Sequence, residues 1–184
     1  MLMKMVCAGF GGQGVLTAGK IVMYAAHKNK KKVTWFPSYG SEMRGGSANC
    51  NVIISDAKIA SPYADHPDLV IAMNESAIDE YQASMAEGST IFVNSSLVDE
   101  NKTYREDINV VMAPVTKLAQ DLGNERAANI CMLGVMAKHS ADFEKNAFAE
   151  AMCEYFEKQG KGKYNDSNVE AFMKGYAFAS VCEG

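Results

Sequence analysis

The sequence predicts an α/β fold: a Rossmann-like, mostly parallel sheet with an antiparallel hairpin and a helical C-terminal third. Three observations lead there. Short apolar runs alternate with stretches of helical periodicity over residues 1–113, the pattern of strand–helix units. The first run ends in Gly9-Phe10-Gly11-Gly12-Gln13-Gly14, and a helical pattern starts directly after it. From Pro114 onward the apolar spacing is helical. A chain of 184 residues has room for one domain. Residues 1–113 are therefore read as its strand-rich, glycine-loop half, and 114–184 as helices packing on the same core.

The elements follow in order. Residues 4–9 (KMVCAG) suit a buried parallel strand. From 13 to 27, Val15, Leu16, Ile21, Val22, Ala25 and Ala26 recur at helical spacing, and lysines 28 and 30–32 oppose the negative dipole end of that helix. Residues 33–36 (VTWF) form a second strand, stopped by Pro37, and a glycine-rich loop spans 38–47. Residues 49–55 and 58–61, separated by Asp56-Ala57, are expected to pair as the hairpin, although its turn lacks a glycine. Residues 68–73 are a strand, 74–87 a helix, and 90–94 and 109–112 two further strands. Helices are expected near 115–122, 125–139, 142–158 and 167–181, broken by Gly123, Ser140 and the 160–163 segment.

Composition narrows the function. The chain is 48% apolar and 22% charged, as globular proteins are, which excludes a disordered tail. A net charge of -4 argues against a nucleic-acid partner. The charge is uneven: residues 1–41 hold six lysines and no acid, while the remainder holds 12 cations against 22 acids. Cys7, Cys50, Cys131, Cys153 and Cys182 are odd in number and widely spaced, with no CxxC. They read as reduced thiols of a cytoplasmic protein, without a metal or cluster site. No apolar run approaches the roughly 20 residues that span a bilayer, and Met1 to Val6 is too short for a signal peptide.

Gly9, Gly11 and Gly14 form a GxGxxG between a strand and a helix. Glycines let the backbone approach a phosphate, and the first helical N–H groups point at the anion. The alternative is a tight turn with no ligand. A dinucleotide site wants an acid about 20 residues on, and none precedes Glu42. The P-loop pattern over Gly14–Lys20 puts Ile21 where Ser or Thr must ligate magnesium. In the second loop, Ser41, Glu42, Arg44 and Gly45 lie beside the first turn in the expected topology. Arg44 is one of three arginines and suits phosphate or carboxylate recognition, or else pairs with Glu42. No His, Cys and acid cluster marks a nucleophile, so no catalytic residue is expected. Asn74 reads as a helix cap or as a group presented to a ligand, the cap being favoured.

Together, GFGGQG after the first strand and TWFPSYGSEMRGGSANC over 34–50 resemble the gamma subunit of 2-oxoacid:ferredoxin oxidoreductases, as do residues 52–56 (VIISD) and 68–74 (DLVIAMN). The resemblance is strongest over 4–75, and its 37–46 loop is closer to the 2-oxoglutarate type than to the pyruvate type. It implies a cytoplasmic complex of alpha, beta, gamma and delta subunits. That complex decarboxylates a 2-oxoacid on thiamine diphosphate, transfers the acyl group to coenzyme A (giving succinyl-CoA from 2-oxoglutarate), and passes electrons to ferredoxin or another acceptor. Thiamine diphosphate, magnesium and iron–sulfur clusters would sit on partner subunits. The gamma chain would be inactive alone, and the isolated chain could form a homodimer. The resemblance places coenzyme A, or a neighbouring subunit, against Gly9, Phe10, Gly11, Gly12, Gln13 and Gly14, and against Ser41, Glu42, Arg44 and Gly45. Two other readings stay open: a stand-alone nucleotide-binding oxidoreductase, using NADP for instance, and a regulatory domain that binds a small acid or nucleotide.

Overall fold

The computed structural model describes residues 1–39, 46–178 and 181–183. Its sheet is organised around β1 (Leu2–Phe10), which runs parallel to β4 (Leu69–Ala72) on one side and antiparallel to β3 (Ser47–Ser55) on the other. With β2 (Lys32–Tyr39), β5 (Thr90–Asn94), β6 (Asn109–Ala113) and β7 (Val181–Glu183), the order is β2-β3-β1-β4-β5-β6-β7. β1, β4, β5 and β6 are parallel neighbours, β2 pairs antiparallel with β3, and β7 pairs antiparallel with β6.

The α/β class, the mixed sheet and the C-terminal helices agree with the sequence. All four residues of β4 are buried, because this central parallel strand is covered on both faces. Its side chains alternate between two cores. Leu69 and Ile71, with Met5 and Cys7 of β1, face a large core shared with α1 (Val15–Lys28) and with α4 (Ala128–His139), α5 (Lys145–Lys158) and α6 (Asn165–Ala177). Val70 and Ala72, with Val6 and Ala8, face a smaller core under α2 (Glu75–Tyr81). α3 (Val115–Asp121) joins the large core through Val115, Leu118 and Ala119. α4 is buried without interruption from Asn129 to Ala137, as expected of a helix apolar nearly all round.

The hairpin expected between 49–55 and 58–61 is not formed. β3 has β1 along one edge and β2 along the other over its full length, so no edge is left for 58–61. The Ser55 hydroxyl accepts the Ala57 N–H at 3.0 Å and turns the chain away instead. The antiparallel pair is β2–β3. Pro37, expected to stop the second strand, lies inside β2 opposite Cys50. β2 is an edge strand, where a residue without an N–H is tolerated. The expected 74–87 helix is shorter, passing at Gln82 into a 3-10 turn. The last helix ends at Ala177, and β7 follows where helix was expected to reach 181.

Candidate functional site

β1 delivers the chain to the glycine turn at its carboxyl end. The Gln13 N–H donates to the Phe10 carbonyl at 3.1 Å and closes the turn, while the Gly11 N–H donates to the Gly46 carbonyl at 2.9 Å. That second bond ties the turn to the residue before β3, so the end of the second loop does lie beside the first. Ser41, Glu42, Arg44 and Gly45 fall outside the described residues.

Gly12 and Gly14 take φ of 102° and 73°, the region that favours glycine. Gly9 is required for a different reason: a Cβ there would come 2.9 Å from Met73 Cβ and 2.5 Å from Gln13 Oε1. Gly14 heads α1, which has no side-chain cap and no acid in its first turn. The Ala18 N–H donates to the Gly14 carbonyl at 2.9 Å, so the N–H groups of Val15, Leu16 and Thr17 precede the first intrahelical acceptor. Phe10, Gly11 and Gly12 are exposed at the outer face of the turn.

Behind the turn runs a chain of amides across the carboxyl ends of β1, β4 and β5. Gln13 Oε1 accepts the Phe10 N–H at 2.6 Å and Asn74 Nδ2 at 3.2 Å, while Gln13 Nε2 donates to the Met73 carbonyl at 3.0 Å. Asn74 Oδ1 accepts the Ala77 N–H at 3.0 Å, which makes Asn74 both the expected cap of α2 and a support of the turn. Asn94 Nδ2 donates to the Met73 carbonyl at 3.1 Å and to Thr116 Oγ1 at 2.9 Å. From α4, Asn129 Nδ2 donates to the Gly14 carbonyl at 3.0 Å. Buried amides carry a large penalty when unpaired and rigidify a site when paired. Both amide groups of Gln13 are committed to the protein, so it shapes the turn from within.

The electrostatics differ from what the lysine-rich start suggests. Lys28, the last residue of α1, pairs with Glu154, and Lys31, just beyond it, pairs with Asp56 at 2.6 Å. A 14-residue helix separates them from the turn by roughly 20 Å. Lys20 Nζ lies 4.6 Å from the centroid of the Trp35 ring. Among the described residues, Arg126, in the 3-10 turn that leads into α4, supplies a cation beside the turn. It lines a cleft of about 180 Å³ with Gly12, Gln13, Met73, Thr116 and the neighbouring Glu125, and a second of about 470 Å³ with Gly14 and Thr17. Arg105, by contrast, is held by Asp107 and by the carbonyls of Gln82, Ala83 and Met85.

Sequence reasoning missed Asn94, Thr116, Arg126 and Asn129. The rarity of arginine was the available signal for Arg126; the other three acquire meaning only from the topology. Cys7, Cys50 and Cys131 are buried free thiols, and burial pushes the Cys131 thiol up to about 11. Among the described residues, no group of three or more His, Cys, Asp or Glu comes together to hold a metal, and no helix is long and apolar enough to cross a membrane.

Comparison with known proteins gives a consistent picture. A family profile described as pyruvate ferredoxin/flavodoxin oxidoreductase matches residues 4–178. The ketoisovalerate oxidoreductase subunit VorA of Methanothermobacter marburgensis is 35% identical over 173 residues, which are 94% of this chain and 35% of that one. The chain thus spans about a third of the length of this relative. The 2-oxoglutarate synthase subunit KorC of Methanocaldococcus jannaschii is 34% identical over 175 residues, 94% of this chain and 91% of that one. Among solved structures, a keto/oxoacid ferredoxin oxidoreductase gamma subunit from Geobacter sulfurreducens superposes with a TM-score of 0.81 at 28% identity, covering 96% of this chain and 95% of that one. The 2-oxoglutarate:ferredoxin oxidoreductase from Magnetococcus marinus, with 2-oxoglutarate, coenzyme A and succinyl-CoA bound, shares the fold: TM-score 0.84, 24% identity, 96% of this chain and 30% of that one.

Proposed function

The chain belongs to the pyruvate ferredoxin/flavodoxin oxidoreductase family, and from that premise we propose that it is the gamma subunit of a 2-oxoacid:ferredoxin oxidoreductase complex. In this reading alpha, beta and delta subunits carry thiamine diphosphate, magnesium and the iron–sulfur clusters. Cys7, Cys50 and Cys131 do not suit cluster ligation, since they are buried among apolar side chains. No step on those groups is assigned to it.

The observation that carries the reading is the uncapped, acid-free start of α1, held open by the amide chain behind it. These groups fit the anionic part of coenzyme A. The N–H groups of Val15, Leu16 and Thr17 would face its phosphates, with Gly11 and Gly12 allowing close approach and Arg126 balancing charge. Coenzyme A, when bound, supplies the thiol that takes up the acyl group. The role of this chain is to bind and orient that molecule beside a partner's reaction centre. Ser41, Glu42, Arg44 and Gly45 would complete the wall from the second loop. The relatives named 2-oxoglutarate synthase subunit KorC and 2-oxoglutarate:ferredoxin oxidoreductase support this reading.

We assign 2-oxoglutarate as the substrate of the complex, from the 37–46 loop and the near full-length match to a KorC chain. The identity to a ketoisovalerate oxidoreductase subunit favours a second reading, a branched-chain 2-oxoacid. Co-expression with the alpha, beta and delta chains, followed by viologen reduction, separates them. A kcat/KM higher for 2-oxoglutarate than for ketoisovalerate supports the first, and the reverse order overturns it. A stand-alone oxidoreductase would instead show saturable NAD(P) or flavin binding by the isolated chain.

A further inference from the structure

Cys7 on β1 and Cys50 on β3 stand directly opposite one another in the antiparallel register. Both side chains enter the large core on the α1 side of the sheet, and neither residue keeps any exposed surface. Opposed residues of an antiparallel pair lie about 4.5 or 5.5 Å apart at Cα, within the roughly 4.4–6.8 Å that a disulfide spans. Both are free thiols in this structure. Cys131 and Cys153, on α4 and α5, share no such register.

The space around the Cys50 sulfur is the second observation. A Cβ on Gly19 of α1 would come 2.4 Å from Cys50 Sγ and 3.2 Å from Trp35 Nε1, so the helix forgoes a side chain where sulfur and indole meet it. The Cys50 S–H donates to the Val15 carbonyl at 3.6 Å, in the first turn of α1. Trp35 Nε1 is buried without a hydrogen-bond partner while the sulfur is a neutral thiol. A thiolate at Cys50 would supply the missing acceptor. The Cys7 thiol, and after it the Trp35 N–H, hold the Cys50 thiol below its ordinary value against the opposing effect of burial, while the contact with Cys50 raises Cys7. Cys50 therefore ionises first, and the thiolate is the reactive form. Trp35 itself is only partly buried and sits on the edge strand β2, so the indole links the sulfur to the surface.

We propose that Cys7 and Cys50 form a redox-active dithiol that hydrogen peroxide closes to a disulfide. The Cys50 thiolate attacks one peroxide oxygen: the S–O bond forms, the O–O bond breaks, and the released hydroxide takes up the proton that Cys50 lost and leaves as water. Cys7 then attacks the Cys50 sulfur: the S–S bond forms, the S–O bond breaks, and the hydroxyl leaves as water with the Cys7 proton. The two thiols lose two electrons and two protons, and the peroxide is reduced to two waters. The link takes the S–H donor from the Val15 carbonyl at the head of α1 and joins β1 to β3 behind the glycine turn. It does not depend on the subunit assignment.

The folded full chain, treated with dilute hydrogen peroxide without denaturant, alkylated and digested without reduction, tests this by mass spectrometry. The expected product is a peptide pair joined through Cys7 and Cys50, lighter than its reduced parts by two hydrogen atoms and separated by dithiothreitol. Trp35 is the one tryptophan of the chain and reports the change in place. Its fluorescence should fall on oxidation and recover on reduction. The oxidised chain should unfold at a higher urea concentration than the reduced one. Cys7→Ser, verified as folded by its circular dichroism, should leave a sulfenic acid on Cys50 that dimedone traps, and Trp35→Phe should slow the linkage severalfold. The parent chain decides the pairing without any variant. Oxidation of the partly exposed Cys153 while Cys7 and Cys50 stay reduced overturns the proposal. So does a link that forms only in urea, or a Cys50–Cys131 link in equal yield.

Discussion

Gly12 and Gly14 are the same residue in the same turn, required to different degrees, and a methyl group separates the two cases. At Gly12 an added Cβ meets nothing within 4 Å, so Gly12→Ala pays only the backbone strain at φ 102°, about 1–3 kcal/mol. At Gly14 it would also come 2.5 Å from Asn129 Nδ2 and break the bond to the Gly14 carbonyl. Gly14→Ala should therefore cost about 1 kcal/mol more than Gly12→Ala in urea unfolding. In an Asn129→Ala background that excess should vanish. Asp56 gives the pH dependence. Lys31 and the amino terminus lower its pKa from 3.8 to about 2. A depressed folded-state value means that the stabilisation is complete above the unfolded pKa and is lost as pH falls through the folded one. The melting temperature of Asp56→Asn should thus lie below that of the parent near neutral pH, by an amount that closes between pH 3.8 and about 2. A gap constant across that window would contradict the pairing. At this scale the sequence was partly legible. GFGGQG announced its glycines, and Asn74 its cap. Asn94, Thr116 and Asn129 sit near the ends of apolar runs, and nothing local shows that β1, β4 and β5 align their carboxyl ends around them.

Between elements, α4 and α6 cross with their backbones in close contact. A Cβ on Gly134 would collide with the Phe172 carbonyl, and one on Gly175 with the Cys131 carbonyl. Helical glycine is otherwise inferior to alanine by about 1 kcal/mol, so both positions forgo propensity for contact. Gly134→Ala and Gly175→Ala should each destabilise by about 2 kcal/mol net, and the double variant by less than their sum, because the first methyl already separates the helices. Additive losses in chemical denaturation would show that the two sites do not share one crossing. Periodicity located most strands and helices, because each buries one face or one full circumference. It failed for the hairpin. Residues 58–61 have the apolar content of a strand, but whether an edge is free for them depends on β2, which lies earlier in the chain. Pro37 misled for a related reason, since its cost in a strand depends on whether that strand is an edge.

For the molecule as a whole, the fold class and the family were legible because they rest on long-range order of motifs: a glycine turn between strand and helix, a second glycine loop, then helices. The charge asymmetry was legible as a number and misleading as a location. Two of the early lysines are paired at or beyond the far end of α1, and among the described residues Arg126, more than a hundred residues downstream, supplies a cation at the turn. The groups gathered at the glycine turn are hydrogen-bonding amides and the Arg126 cation, and among the described residues no group of three or more His, Cys, Asp or Glu comes together to hold a metal; this suits the proposed subunit that presents a ligand to chemistry elsewhere. The most direct test is an omission experiment. The alpha, beta and delta subunits are purified with and without this chain, and 2-oxoacid- and coenzyme A-dependent viologen reduction is measured. We predict that activity requires this chain and returns when it is added back to the other three; full activity in its absence would contradict the account.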